Sequence, residues 1–86
     1  MYVILTYDVN KKRVSKTRKI CKKYLKHIQK SVFEGTITEA MLKRLKGELQ
    51  KVIDSDEDQI AIYEFESLKY THKEVIGLYD NYSSIL

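Results

Sequence analysis

The sequence predicts one α+β domain in which two helices cover a single face of an antiparallel sheet. Three observations predict it. Short runs rich in β-branched and aromatic residues occur near both ends, at Tyr2–Val9 and Gln59–Phe65. Between them, apolar residues recur at helical spacing in two separate stretches. No proline, internal repeat or Gly-rich linker interrupts the 86 residues, so one cooperative unit is expected. Such a chain buries only about 60% of the surface its unfolded form exposes, and pairing with a second copy would enlarge its core.

In Tyr2–Val9, residues Val3, Leu5, Tyr7 and Val9 point one way and Tyr2, Ile4, Thr6 and Asp8 the other. Both faces are apolar at the start of this strand, which predicts protein on both sides. A helix is expected from Lys12 to Lys26, with Asn10 as its N-cap and Val14, Thr17, Cys21, Tyr24, Leu25 and Ile28 on its inner face. A second strand fits Gln29–Gly35. Thr36 followed by Glu39 reads as a capping box, and Leu42, Leu45, Leu49 and Val52 give the second helix its apolar stripe. After an acidic turn at Asp54–Asp58, Gln59–Phe65 is a third strand, and a fourth is placed within Glu74–Tyr79. The domain thus spans 1–80, with a tail, 81–86, whose Ile85 and Leu86 could add a strand or pack on a partner. The order read in this way is β-α-β-α-β-β. The ferredoxin-like order, β-α-β-β-α-β, needs a further strand between the helices, and both orders stay open. Either leaves one sheet face bare, which two sheets packed face to face in a homodimer would cover.

A hydrophobic content of 43% with 33% charged residues suits a globular protein rather than a disordered tail. No apolar run approaches the roughly 20 residues of a membrane span, and the chain starts directly in a strand without a basic leader, so a cytoplasmic protein with no membrane partner is expected. Cys21 is the single cysteine, lies on the apolar helical face and has no metal-ligand spacing around it. His27 and His72 also lack ligand neighbours and read as surface or structural residues. There is no Gly-rich phosphate loop, no nucleophile elbow and no aromatic RNA-recognition signature.

Charge is distributed unevenly. Ten Lys or Arg against the single acid Asp8 give residues 1–30 a charge of +9, whereas six bases and eleven acids leave −5 on 31–86. A folded block of like charge calls for a polyanion, most commonly phosphate. Lys11, Lys12 and Arg13 crowd the first helical turn, where acids would suit the macrodipole better, and this placement points to phosphate binding, with Lys16 and Arg18 one turn on. The lysines from Lys19 to Lys30 suit a solvated face individually and a polyanion collectively. Tyr7, Tyr24, Phe33 and Tyr63 could stack on bases, although packing is the commoner use of such residues. Asp8, at the end of a strand beside this basic start, fits two roles: a carboxylate holding a divalent cation against phosphate, or a turn and capping residue. One carboxylate is few for a metal cage, but magnesium keeps several waters, and a two-fold axis would supply a second Asp8.

The Tyr7-Asp8-Val9 step, Arg13 and Lys16 on the basic helix, and Ser31-Val-Phe-Glu-Gly35 together resemble the CRISPR-associated Cas2 family. The likeness continues through the second helix into Asp58–Phe65. The resemblance implies a ferredoxin-like homodimer that binds duplex DNA and bridges dimers of the larger CRISPR integrase subunit during spacer acquisition. It also implies that some members are nucleases on single-stranded RNA or double-stranded DNA, dependent on Mg2+ (or Mn2+). In that pattern Asp8 matches the metal-binding, catalytic aspartate, and Arg13 and Phe33 match positions that support activity. This chain departs by having Leu25 after Tyr24, and His27 where an arginine commonly stands. A toxin-like metal-dependent endoribonuclease of the same fold is the alternative reading.

Overall fold

Alternation in Tyr2–Asp8 makes this segment, β1, the strand on which both faces of the sheet are built. In the computed structural model, which describes residues 1–66 and 73–77, the chain continues through α1 (Lys11–Lys22), β2 (Lys26–Gln29), β3 (Val32–Thr36), α2 (Glu39–Val52) and β4 (Gln59–Phe65). The sheet order is β2-β3-β1-β4, and every neighbouring pair is antiparallel. This is the β-α-β-β-α-β arrangement of ferredoxin-like folds, with both helices on one face.

The further strand that this order needs lies inside what reads in sequence as the end of a helix and one strand. Helix α1 stops at Lys22, where the Tyr24 and Leu25 amides both donate to the Cys21 carbonyl. Lys26–Gln29 then pairs with Val32–Thr36 as a tight hairpin whose turn is Lys30–Ser31, and a bulge at Ile28 shifts the register between His27 and Gln29. Lys30 adopts a positive φ of 30°, unusual for a lysine, so the turn carries no glycine or asparagine signal in the sequence. The cap of α2 is also displaced. Thr36 is the last residue of β3, opposite Tyr2, and Thr38 caps the helix by accepting from the Met41 amide at 3.1 Å. The two-residue delay buries Ile37, whose amide donates to the Met1 carbonyl at 2.9 Å. Asn10 caps α1 as expected, through Oδ1 to the Lys12 amide at 3.1 Å. The strand expected within Glu74–Tyr79 is not formed at Glu74–Gly77; Leu78, Tyr79 and the tail 81–86 lie outside the described residues, as does His72.

The core lies between sheet and helices. Val3, Leu5 and Tyr7 of β1 meet Phe33 of β3, Cys21 of α1, Leu25, and Leu42, Leu45 and Leu49 of α2. Burying each large aliphatic side chain contributes about 1.5–3 kcal/mol relative to leaving it in water. Burial also pushes the Cys21 thiol up to about 12, so it is a packing residue rather than a nucleophile. Among the described residues no helix covers the opposite face. That face carries Tyr2, Ile4 and Thr6 of β1, Val32 and Glu34 of β3, and Ala61, Tyr63 and Phe65 of β4, with Tyr63 56% exposed. Lys73 reaches over this face and donates to both Glu34 oxygens, at 3.0 and 2.9 Å, while the Tyr2 hydroxyl donates to Glu34 at 2.7 Å.

Leu45 is fully buried in the middle of α2. Truncation to alanine removes a transfer term and leaves a cavity, so Leu45→Ala should lose about 3 kcal/mol in urea unfolding, read as a lower midpoint with an unchanged slope.

Candidate nucleic-acid interface

Asp8 ends β1 opposite Gln59 of β4, with its side chain exposed. Two residues later the chain turns into α1, and this corner is held by an acidic clasp from the loop before β4. The Asp58 carboxylate, with no exposed surface, accepts from the Asn10 amide at 2.8 Å and the Asp54 amide at 2.9 Å. It also takes two bonds from Arg13, Nε to Oδ2 at 2.6 Å and Nη2 to Oδ1 at 3.2 Å. Glu57 adds an ion pair to Arg13 at 3.5 Å and accepts from Asn10 Nδ2 at 3.1 Å. The Arg13 guanidinium first, then the two amides, hold the Asp58 carboxyl far below the usual carboxylate range, despite the opposing effect of desolvation.

Arg13 is therefore tied into the structure. It positions the start of α1 and is only 15% exposed, whereas Lys11, Lys12 and Lys16 stand free in solvent beside it. Phe33 is likewise inside. Fully buried, it stacks on His27 with centroids 4.4 Å apart and an interplanar angle of 7°, and on Tyr7 at 6.2 Å. It shapes the floor beneath Tyr7 and does not reach the surface. His27 is buried too, with Nε2 2.6 Å from the Lys30 carbonyl oxygen, so it forms a strut under the hairpin turn. Tyr24 is half-buried and its hydroxyl donates to Glu48, which also pairs with Lys23.

Beside Asp8 opens a cavity of about 350 Å³ lined by Tyr7, Asp8, Val9, Val14, Arg18, Lys30 and Ser31. It joins the end of β1, the second turn of α1 and the β2–β3 turn. The turn is fixed at two successive carbonyls: His27 meets that of Lys30, and the Tyr7 amide donates to that of Ser31 at 3.1 Å. Holding Lys30 at positive φ costs on the order of 1 kcal/mol, and these bonds offset it. Desolvation pushes the Tyr7 hydroxyl above its ordinary value, Cys21 acts in the same direction, and the Arg18 charge opposes both. Asp8 is the one carboxylate lining the cavity. Among the described residues no group of three or more His, Cys, Asp or Glu could hold a metal ion. An exposed single carboxylate fits a magnesium ion that keeps most of its waters and takes further oxygens from a substrate phosphate.

Of the expected site residues, the structure brings Asp8 and Arg18 to one cavity and leaves Lys11, Lys12 and Lys16 exposed on α1. Asp58 and Ser31 were not among them, while Tyr7 was weighed for stacking on bases and Lys30 only as part of a collective basic face. The alternation of acids in Asp54–Asp58 was a visible signal for the clasp, but its pairing with residues 45 positions earlier follows only from the sheet order.

Comparison with known proteins decides the family. The model of the family described as CRISPR associated protein Cas2 matches residues 1–73. The chain belongs to the Cas2 family. It is 42% identical over 81 residues to the CRISPR-associated endoribonuclease Cas2 of Dictyoglomus turgidum, covering 94% of this chain and 93% of that one. It is 48% identical over 77 residues to a protein of that description from Thermodesulfovibrio yellowstonii, covering 90% and 88%. A Cas2 crystal structure superposes with a TM-score of 0.82 at 40% identity, over 92% of this chain and 88% of that one. Cas2 relatives thus share the ferredoxin-like fold found here.

The clasp predicts a pH dependence. Because the folded pKa of Asp58 is depressed, its stabilising effect is fully present above the unfolded value near 3.8 and is lost as pH falls toward the folded one. Asp58→Asn should therefore lower the urea midpoint at pH 7, and the gap to wild type should shrink steadily below about pH 4. An equal gap at pH 7 and in strong acid would show that the clasp carries no charge-dependent stability.

Proposed function

We propose that this Cas2-family chain is a CRISPR adaptation subunit that binds duplex DNA and bridges dimers of the larger integrase subunit during spacer acquisition. The observation that carries the reading is the set of lysines on α1 that are exposed and unpaired among the described residues, Lys11, Lys12 and Lys16, on the helix that also sends Arg18 to the cavity beside Asp8. Cations concentrated on one side of a small domain suit the phosphate backbone, whose neutralisation releases counterions. The sheet face opposite the helices, with Ile4, Tyr63 and Phe65, supports a homodimer formed sheet to sheet. Among the described residues no helix is long and apolar enough to cross a membrane. A DNA-binding adaptation role places the protein in the cytoplasm, where the array is extended.

A second reading is favoured by the description of its relatives as endoribonucleases. On this reading Asp8 holds Mg2+ or Mn2+, which when bound supplies Lewis-acid activation of water and neutralises the phosphate. The chain's own residues orient the strand: Lys11, Lys12 and Lys16 hold its backbone, and Arg13 and Asp58 keep the helix start in place.

Asp8→Ala, assayed side by side for phosphodiester cleavage and for spacer acquisition, separates the two. Acquisition retained with cleavage lost assigns turnover to a separate activity; cleavage unchanged in a nuclease-free preparation removes Asp8 from catalysis. Neutralising Lys11, Lys12 and Lys16 together should weaken duplex binding and lower the slope of log affinity against log salt by about three, one for each phosphate contact. Affinity that does not change with salt would overturn the DNA-binding reading.

A further inference from the structure

Arg18 and Lys30 come from different elements, a helix and a hairpin turn, yet they line the same cavity. Neither meets a carboxylate within ion-pair distance among the described residues, so two cations share this space with one acid, Asp8. Arg13, on the same helix, shows the contrast: its charge is fully engaged by Asp58 and Glu57. An anion entering the cavity would find both as donors.

The turn supplies an independent observation. Lys30 has a positive φ, a conformation that glycine adopts at no steric cost, yet the position holds a lysine, whose carbonyl meets His27 while the Ser31 carbonyl accepts from the Tyr7 amide. The turn thus holds the Lys30 backbone at the cavity edge. A cavity of about 350 Å³, equal to roughly ten waters, is larger than a phosphate and admits one with its sugar. Its walls suit this: Val9 and Val14 are apolar, while Arg18 and Lys30 supply the donors.

We infer that Arg18 and Lys30 together grip one phosphate of the bound nucleic-acid strand in the cavity next to Asp8, and so set where along the strand Asp8 stands. The inference rests on the nucleic-acid-binding reading above and adds a fixed register to a surface that otherwise binds by charge alone.

The test uses the full chain with two labelled probes, single-stranded RNA and duplex DNA, each carrying a neutral methylphosphonate at one phosphate at a time. Wild type should lose affinity about tenfold at one position above the others in one probe, and that probe identifies the strand. In the Arg18→Gln, Lys30→Gln double variant this positional penalty should vanish. The single variants should each bind about tenfold more weakly, and their effects should be less than additive, because both hold the same group. Lys43→Gln, exposed on α2, should bind as wild type.

Lys30→Gly separates function from structure: it should melt at or above the wild-type temperature and still bind more weakly. Should Arg18→Gln not fold, the Lys30 variants on their exposed turn decide the matter. Wild type that binds neither probe overturns this inference together with the function proposed above. Binding that persists undiminished in the Lys30 variants, or a positional penalty that survives the double variant, overturns this inference alone.

Discussion

The carboxylate of Asp58 is the joint on which the functional end of the molecule turns. Removed from solvent, it accepts from two backbone amides and from two N–H groups on one edge of a guanidinium, so all of its strong acceptor directions are used. Those bonds tie three segments that are remote in sequence: the exit from β1, the first turn of α1 and the loop leading into β4. Asp8 lies between the first of these and its ladder partner Gln59. Its position is consequently set on both sides, by β-sheet pairing below and by the clasp above. A buried ion pair is costly to desolvate, and saturation of its hydrogen bonds is what makes this one tolerable.

The clasp also changes how the charge of the chain should be counted. Residues 1–30 hold +9, but Arg13 is neutralised within the fold by acids from the −5 remainder, and Lys23 is paired with Glu48. The charge that remains unpaired among the described residues lies on Lys11, Lys12, Lys16, Lys19, Lys22 and Lys26, and on Arg18 and Lys30 at the cavity. On the proposed reading, a polyanion would meet two sets of cations, one solvated on α1 and the other at the cavity.

Elements governed by local chemistry were legible in the sequence: β1, β4 with its bounds, the Asn10 cap, the leucine stripe of α2 and the buried Cys21 all follow from alternation, helical spacing or capping preference. What was not legible depended on tertiary context. The β2–β3 hairpin turns on a lysine at positive φ, which propensity assigns to glycine or asparagine, and its first strand continues the lysine-rich pattern of α1 with Leu25 and Ile28 still at helical spacing. Thr36 and Thr38 are equally good caps by type; the pairing of Thr36 with Tyr2 and the burial of Ile37 decide between them. Asp8 was found from its place at a strand end and Arg13 from its place in the basic first turn of α1, where phosphate binding was expected; the bonds to Asp58 show Arg13 tied into the fold, and the stack on His27 shows Phe33 packed inside.

Parity along β1 links these observations to the sheet face opposite the helices. Tyr7 points with Val3 and Leu5 into the helix-covered core, and Asp8 points with Tyr2, Ile4 and Thr6 toward the opposite side. Adjacent residues at the strand end thus serve different layers. Tyr7 closes the floor of the cavity that Arg18 and Lys30 flank, while Asp8 stands at its rim on the side of the exposed Tyr63. A second copy laid sheet to sheet on that face would meet the Asp8 side and leave the cationic wall open. On the proposed reading, dimer contact and strand binding therefore approach Asp8 from different directions, and a single residue can answer to both without either excluding the other.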